Sequence, residues 1–368
     1  MDGMKETPLS KSDPSRRQFL LAGLQIAASL PSCFSRAASA RRDSEEHDRF
    51  FKTRGVVLTT ADLSTLDWPQ RAAMAGLTTI ATHVTPSEVS RFIQTDRGHE
   101  FLLQCRERGI EVEHELHAMS DLLPRGLFEK DPSMYRVNEQ GERSPDFNCC
   151  VHSSRAIETI CENALKYASI LKPTTGRYFY WIDDGMPMCR CSRCRVYSDS
   201  EQALILENEV LRALRKVDSQ ATLAHLAYAL TMEAPVQIKP TSGIFLEFAP
   251  IGRTWSEPID HREAKEGQHG RYLDFLDSNL TVFGRDNAQV LEYWLDVSLF
   301  SSWKRDAKKK LPWRRDVFLR DIAAYAARGM RHVTSFAVYM DADYVKQYGE
   351  PPLDEYGKGL RDFLIPQG

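Results

Sequence analysis

The stretch YFYWIDDGMPMCRCSRC, Tyr178–Cys194, poses the question on which the fold turns. Its aromatic start reads as a β-strand. The strand ends in two adjacent carboxylates, Asp183 and Asp184, then Gly185, and Cys189, Cys191 and Cys194 follow in a tight loop. Chemistry-bearing residues gathered at the C-terminal end of a strand suit a parallel α/β sheet, where such ends frame the site. The flanking sequence tests that placement.

Upstream, RGVVLTT (54–60), TTIATHV (78–84) and IEVEHELHA (110–118) read as strands. Downstream, the same holds for ATLAHLAYAL (221–230), GIFLEFAP (243–250), AQVLEYWLDVS (288–298) and RHVTSFAVYM (331–340). With 177–184 this makes eight strands, and amphipathic stretches separate most of them. Thr85 and Glu88, and again Ser198 and Glu201, have the spacing of capping boxes that open helices. The helix opened by Thr85 is expected to run to Arg108. Gly76, Gly109 and Gly329 each fall between a helix and the next strand, where a left-handed cap is wanted. Alternation without hairpins implies a parallel sheet, and eight units in this length predict a closed (β/α)8 TIM barrel over residues 51–368. A doubly wound open sheet is the alternative. No glycine-rich phosphate turn follows the first strand, which disfavours nucleotide binding.

Residues 1–50 read as a leader and linker rather than fold. Arg16 and Arg17 precede Gln18, Phe19, Leu20 and a short apolar run to Leu30, the pattern of a twin-arginine signal peptide. Export to the periplasm, envelope or exterior is the expectation. Two processing sites compete. Leu30-Pro31-Ser32-Cys33 resembles a lipobox that would lipidate Cys33 and anchor the protein to a membrane; Ala38-Ser39-Ala40 resembles a signal-peptidase site. The net charge of −3 gives no reason to expect nucleic acid as a partner.

Side-chain alternation assigns faces. In VLEYWLDV, Leu291, Tyr293, Leu295 and Val297 are expected against the helices, with Glu292, Trp294 and Asp296 turned to the barrel axis or mouth. Glu247 is expected inward, as are Glu111, Glu113, Glu115 and His117; His225 or Tyr228 points inward according to register.

The segments DPSMYRVNEQGER, NCCVHSSRAIETICENA, YFYWIDDG, CRCSRC, GIFLEFAPIGR and LEYWLDVSLFSSW together resemble a bacterial family of secreted proteins, numbered 4838 among the domains of unknown function. The resemblance covers roughly residues 54–345, and its sharpest element is Asp184-Gly185 followed by the cysteines. It implies a barrel-shaped, glycoside-hydrolase-like protein, distantly similar to β-hexosaminidases and α-glucuronidases. The hexosaminidases carry aspartate-glutamate where this chain has Asp183-Asp184, a departure that speaks against their substrate-assisted mechanism.

Outside the leader the cysteines number seven, an odd count for a fully paired disulfide framework. Cys189, Cys191 and Cys194 offer three thiolates, and a structural zinc wants four ligands. Cys149 and Cys150 lie in the preceding loop; the family pattern keeps a cysteine at Cys150, which implies the fourth ligand. Disulfides formed after export are the competing reading.

The expected chemistry is glycoside hydrolysis on a carbohydrate substrate, which needs two carboxylates flanking the bond. Asp184 is the candidate general acid, with burial expected to keep it protonated; Asp183 points to the other side. Glu247 or Asp296 is the candidate base or nucleophile, and Glu292 a further carboxylate of the same face. Trp181, Trp255, Trp294, Tyr228, His117 and His225 are candidate sugar contacts. A non-catalytic glycan-binding lipoprotein is the alternative; a zinc hydrolase is disfavoured by an all-cysteine ligand set. The basic segment WKRDAKKKLPWRR (303–315) is either a solvated helix start or a reader of anionic sugars.

Overall fold

A computed structural model describes residues 49–364. Arg16, Arg17, Cys33 and Ala38–Ala40 therefore lie outside the described residues. Eight parallel strands follow one another round a closed barrel: β1 (Thr53–Thr59), β2 (Thr79–His83), β3 (Glu111–His117), β4 (Arg177–Trp181), β5 (Thr222–Ala227), β6 (Ile244–Phe248), β7 (Gln289–Glu292) and β8 (His332–Phe336). β8 closes on β1 with Thr53 beside His332 and Val57 beside Phe336. The predicted TIM barrel is the observed fold.

Local chemistry explains the punctuation. Gly76, Gly109 and Gly329 adopt φ of 76°, 68° and 82°, conformations costly for any residue with a Cβ. Ser198 and Glu201 form the expected capping box. Thr85 caps its helix, but Glu88 does not close the box; it accepts a hydrogen bond from Thr60, 2.7 Å away on the neighbouring element. That helix also stops at Ile93, and Thr95 caps a second one, Asp96–Arg108. Gly98 lets the two halves meet, since a Cβ there would sit 2.1 Å from the Phe92 carbonyl oxygen.

The barrel interior is built from alternate residues, as strand pleating requires. Ala81, Phe179, Trp181, Ala224, Leu226, Phe245 and Leu291 fill it. Beneath Trp181 lies a buried polar layer. The Arg177 guanidinium sits 3.3 Å from Glu113, donates to Gln289 at 2.7 Å, and stacks 4.1 Å over the Phe245 ring. Gln289 in turn donates to Glu115 and Glu247 at 3.0 and 3.1 Å.

Strand β7 corrects one expectation. It ends at Glu292, and Leu291 and Tyr293 pack inside the barrel while Val290 and Leu295 join the outer core. Leu291 and Tyr293, expected against the helices, thus face inward, and Glu292 and Trp294, expected inward, face outward, while Leu295 and Val297 pack outward as expected. Asp296 still reaches the mouth, because the chain leaves extended geometry after Glu292 and Asp296 caps a short helix, Val297–Phe300.

Candidate active site

A cleft of about 290 Å³ opens at the C-terminal mouth of the barrel. Its wall includes two carboxylates, Asp184 after β4 and Asp296 after β7. The sequence singled out both, and the fold brings them to one cavity. Gly185, at φ 63°, turns the chain immediately after Asp184.

The two carboxylates have different surroundings. Asp184 is 64% exposed, not buried as expected. It lies beside the Tyr228 phenol, and its Oδ1 is 3.8 Å from His117 Nε2. Burial, and next the Asp184 charge, push the Tyr228 phenol well above its usual range. Asp296 is buried. Its Oδ1 accepts from the Ser298 amide at 2.9 Å, the Ser298 hydroxyl at 2.6 Å and the Leu299 amide at 3.4 Å. Burial raises its pKa to about 6 against those stabilising bonds.

Two histidines floor the cleft beside Trp181. His83 Nδ1 meets the Glu115 carbonyl at 2.6 Å and His117 Nδ1 the Ile182 carbonyl at 3.0 Å. A carbonyl only accepts, so each Nδ1 carries a proton and each Nε2 is the nitrogen left to other partners. Burial, and then the neighbouring His117, lower the His83 pKa to about 3. Trp181 is fixed from below: its indole N–H donates to Glu247 at 2.8 Å.

The remaining candidates are placed elsewhere. Asp183 pairs with Arg125 and accepts from the Asn148 amide at 2.5 Å, while its own amide donates to Asn148 Oδ1 at 2.8 Å. It ties two loops together behind the cleft wall. Glu247 is fully buried, holding Trp181 from underneath and out of a substrate's reach. Glu292 faces the helices, where Arg253 donates to it at 2.7 Å and Tyr325 at 2.6 Å. Trp294 is on that outer side too, donating to Asp321 at 2.8 Å. His225 is buried between Glu207 and Ser200, at 2.7 and 3.1 Å. Of the strand-five pair it is therefore Tyr228 that reaches the mouth. Trp255 is half exposed on an adjoining pocket, edge-on to Phe300.

Sequence reasoning missed His83, Tyr293, Trp303 and Tyr339, all in the cleft wall. His83 and Tyr293 were legible in principle as polar residues closing strands; Trp303 and Tyr339 lie in loops with no periodic signal.

Cys150, Cys189, Cys191 and Cys194 converge in the loops after β3 and β4, with all four Sγ atoms within 4.8 Å of one another. The cluster could hold a metal ion. Cys150 Sγ lies 4.0 Å from Cys191 and 3.8 Å from Cys194. Ligands at about 2.3 Å in a tetrahedron are about 3.8 Å apart, so the spacing fits. The Val137 amide donates to Cys189 Sγ at 3.2 Å, the kind of bond that supports a thiolate. Cys149 is fully buried beside this set and outside it, and Cys105 is also fully buried. No disulfide joins the described cysteines.

Among known proteins, the family model for Domain of unknown function (DUF4838) matches residues 64–277. No curated protein matches the chain. Among solved structures, the glycoside hydrolase family 5 enzyme PbGH5A of Prevotella bryantii is similar at 9% identity, covering 85% of this chain and 96% of that one, with a TM-score of 0.50. Endo-glycoceramidase II of a Rhodococcus species is similar at 12% identity over 77% of this chain and 73% of that one, with a TM-score of 0.47. At such identity the likeness to PbGH5A is one of fold.

Proposed function

The chain belongs to the DUF4838 family, and from that premise and its cleft we propose that it is an exported glycoside hydrolase. The observation that carries the reading is the pair Asp184 and Asp296, brought by the ends of two different strands into one aromatic cleft. Glycosidic hydrolysis asks for two such groups, one to protonate the leaving oxygen and one to attack or to activate water. With a pKa of about 6, Asp296 is ionised at neutral pH, and the Ser298 and Leu299 N–H groups fix its orientation. It serves as base or nucleophile. Asp184, beside Tyr228, protonates the leaving oxygen. Trp181 and Tyr293 supply apolar surface for a sugar ring.

The four-thiol cluster suits a structural zinc: the all-sulfur donor set leaves no open position for a substrate. Its role is to brace the loops on which Asp184 stands.

A screen of oligosaccharides and aryl glycosides against the purified protein, with Asp184→Asn alongside, tests the reading. Asp184 is exposed and the change is nearly isosteric, so the fold should persist. The variant should lose about a hundredfold or more on poor leaving groups and keep its activity on an activated aryl glycoside. If both substrates are cleaved as by the parent, Asp184 is not the acid. Glycan binding with no hydrolysis anywhere in the screen would favour a non-catalytic glycan binder.

A further inference from the structure

Two cations of the basic segment 303–315, Arg305 and Lys308, are directed inward. Arg305 donates to Asp62 at 2.9 Å, to Asp341 at 2.8 Å and to Thr59 at 3.0 Å, and Lys308 donates to Asp341 at 2.8 Å. These cations are engaged with the protein's own groups. The cleft wall contains no Lys or Arg among the described residues, while it does contain Asp184 and Asp296. A uronate would therefore meet carboxylates with no cation to receive it.

What the segment gives the cleft is Trp303. This indole is 63% exposed although it lines the cavity, and no other ring packs on it among the described residues. Its backbone is held in an unusual state. Ser302 and Trp303 have φ of 52° and 57°, and Tyr339, across the same rim, has φ of 70°. The left-handed region is uncommon for non-glycine residues and unfavourable for bulky ones. Three such residues on one rim are kept there by specific bonds. The Trp303 amide donates to the Ser298 carbonyl at 2.8 Å, and the Tyr339 hydroxyl donates to the Trp303 carbonyl at 3.0 Å. The Tyr339 amide donates to Asp62 at 3.1 Å, and the Arg305 guanidinium lies 4.4 Å over the Tyr339 ring. A local arrangement that the surroundings over-determine, at a cleft edge, marks a functional constraint.

Trp181 and Trp303 sit at different depths. Trp181 is 2% exposed on the floor and Trp303 is 63% exposed on the rim, so Trp303 offers a stacking face that Trp181 does not. We propose that Trp303 is a stacking platform for a second, uncharged sugar ring, making the substrate a neutral oligosaccharide rather than a uronate or a lone monosaccharide. This rests on the glycan reading of the cleft. An indole offers a flat apolar face to the C–H face of a pyranose, and the frame of Tyr339, Asp62 and Arg305 fixes its attitude before binding.

The test is titration of the full chain, followed by tryptophan fluorescence and by calorimetry. The probes are cello-, manno-, xylo- and maltotetraose, a galacturonate tetrasaccharide, and the corresponding aryl monosaccharides. At least one neutral tetrasaccharide should bind, and the galacturonate should bind at least tenfold more weakly. Trp303→Ala should weaken the tetrasaccharide about tenfold, equivalent to about 1.4 kcal/mol, and leave aryl monosaccharide binding within a factor of two. Trp303→Phe should recover most of the loss. Trp303→Gly should bind as poorly as the alanine variant yet unfold at no lower temperature, because glycine adopts this φ without strain. Equal tetrasaccharide binding by Trp303→Ala and the parent overturns the platform. So does equal or tighter binding of galacturonate, or failure of every neutral probe to bind. Tetrasaccharide binding that depends on Trp303 without hydrolysis upholds the platform and refutes the hydrolase reading instead.

Discussion

Glu247 sits one layer below the cleft and connects the indole of Trp181 to the buried group of Glu113, Glu115, Arg177 and Gln289. Burial dominates its chemistry and lifts its pKa to about 8, against the hydrogen bond from Trp181 and the charge of Arg177. Glu115 is raised in the same direction, by burial first and then by the Glu247 charge. The sign follows from proton counting. Between about 4.5 and 8 the folded chain holds a proton at Glu247 that the unfolded chain has released. Its contribution is therefore full below about 4.5 and is lost as pH rises through 8. At the lower end of that window His83 and His114, whose folded values are about 3 and 4, act oppositely. They become neutral in both states only above about 7.5; below that their loss of protons in the unfolded chain offsets part of the carboxyl effect, an offset shared by the parent and a Glu247 variant. The parent should thus lose up to about 1.4 kcal/mol per pH unit between 6.5 and 8 from this group, a fall of a few degrees in unfolding temperature. Glu247→Gln keeps an acceptor for Trp181 and removes the titration, so its slope should be shallower. Thermal melts of the two proteins at three pH values across this range decide it; parallel slopes would reject the assignment. The inward placement of Glu247 was readable, because Ile244, Leu246 and Phe248 take one face of β6 and leave Phe245 and Glu247 on the other. Its depth was not, since alternation gives a side and no height along the barrel.

At the scale of elements, the loops after β3 and β4 form a single braced unit. Asn148, itself at φ 44°, receives the Asp183 amide and donates to the Met186 and Pro187 carbonyls at 3.0 Å. Two residues on, Cys150 meets the three cysteines of the other loop. Protein purified under reducing conditions should carry about one zinc per chain by elemental analysis. Cys191→Ser should lose the ion, lower the unfolding temperature and weaken Asp184-dependent activity, since metal binding and folding are coupled. A metal-free protein with disulfides among these cysteines would exclude the site. The thiol set was legible because three of its members fall within six residues, and neighbouring loops of a barrel emerge side by side. The face of β7 was not legible. VLEYWLDV is apolar at both parities, as a strand buried on both sides tends to be. The cation that draws Glu292 outward, Arg253, comes from another loop, 39 residues away.

For the whole molecule, closure of the barrel bears on the proposed export. β1 begins at Thr53 and pairs with β2 on one side and β8 on the other, and β8 begins at His332, so the first strand lacks its second neighbour until nearly the whole chain is made. Contacts of this sequence separation form late and slowly. The segment that reads as a leader, which lies outside the described residues, directly precedes β1 in sequence. We propose that it delivers a finished barrel, with the thiol cluster assembled in the reducing cytoplasm, through the twin-arginine route. Two changes separate this from export of an unfolded chain. Lysine at both Arg16 and Arg17 should hold the protein in the cytoplasm, measured by fractionation and immunoblot. A chain stopped after Met330 keeps both arginines but lacks β8, leaving β1 and β7 without their shared partner. It should also stay inside, because it has no closed barrel to carry. Unchanged envelope levels of the lysine variant would refute the arginine pair as the signal. Efficient export of the truncated chain would show that folding is not required before transport, and the cytoplasmic loading of the cysteines would fall with it.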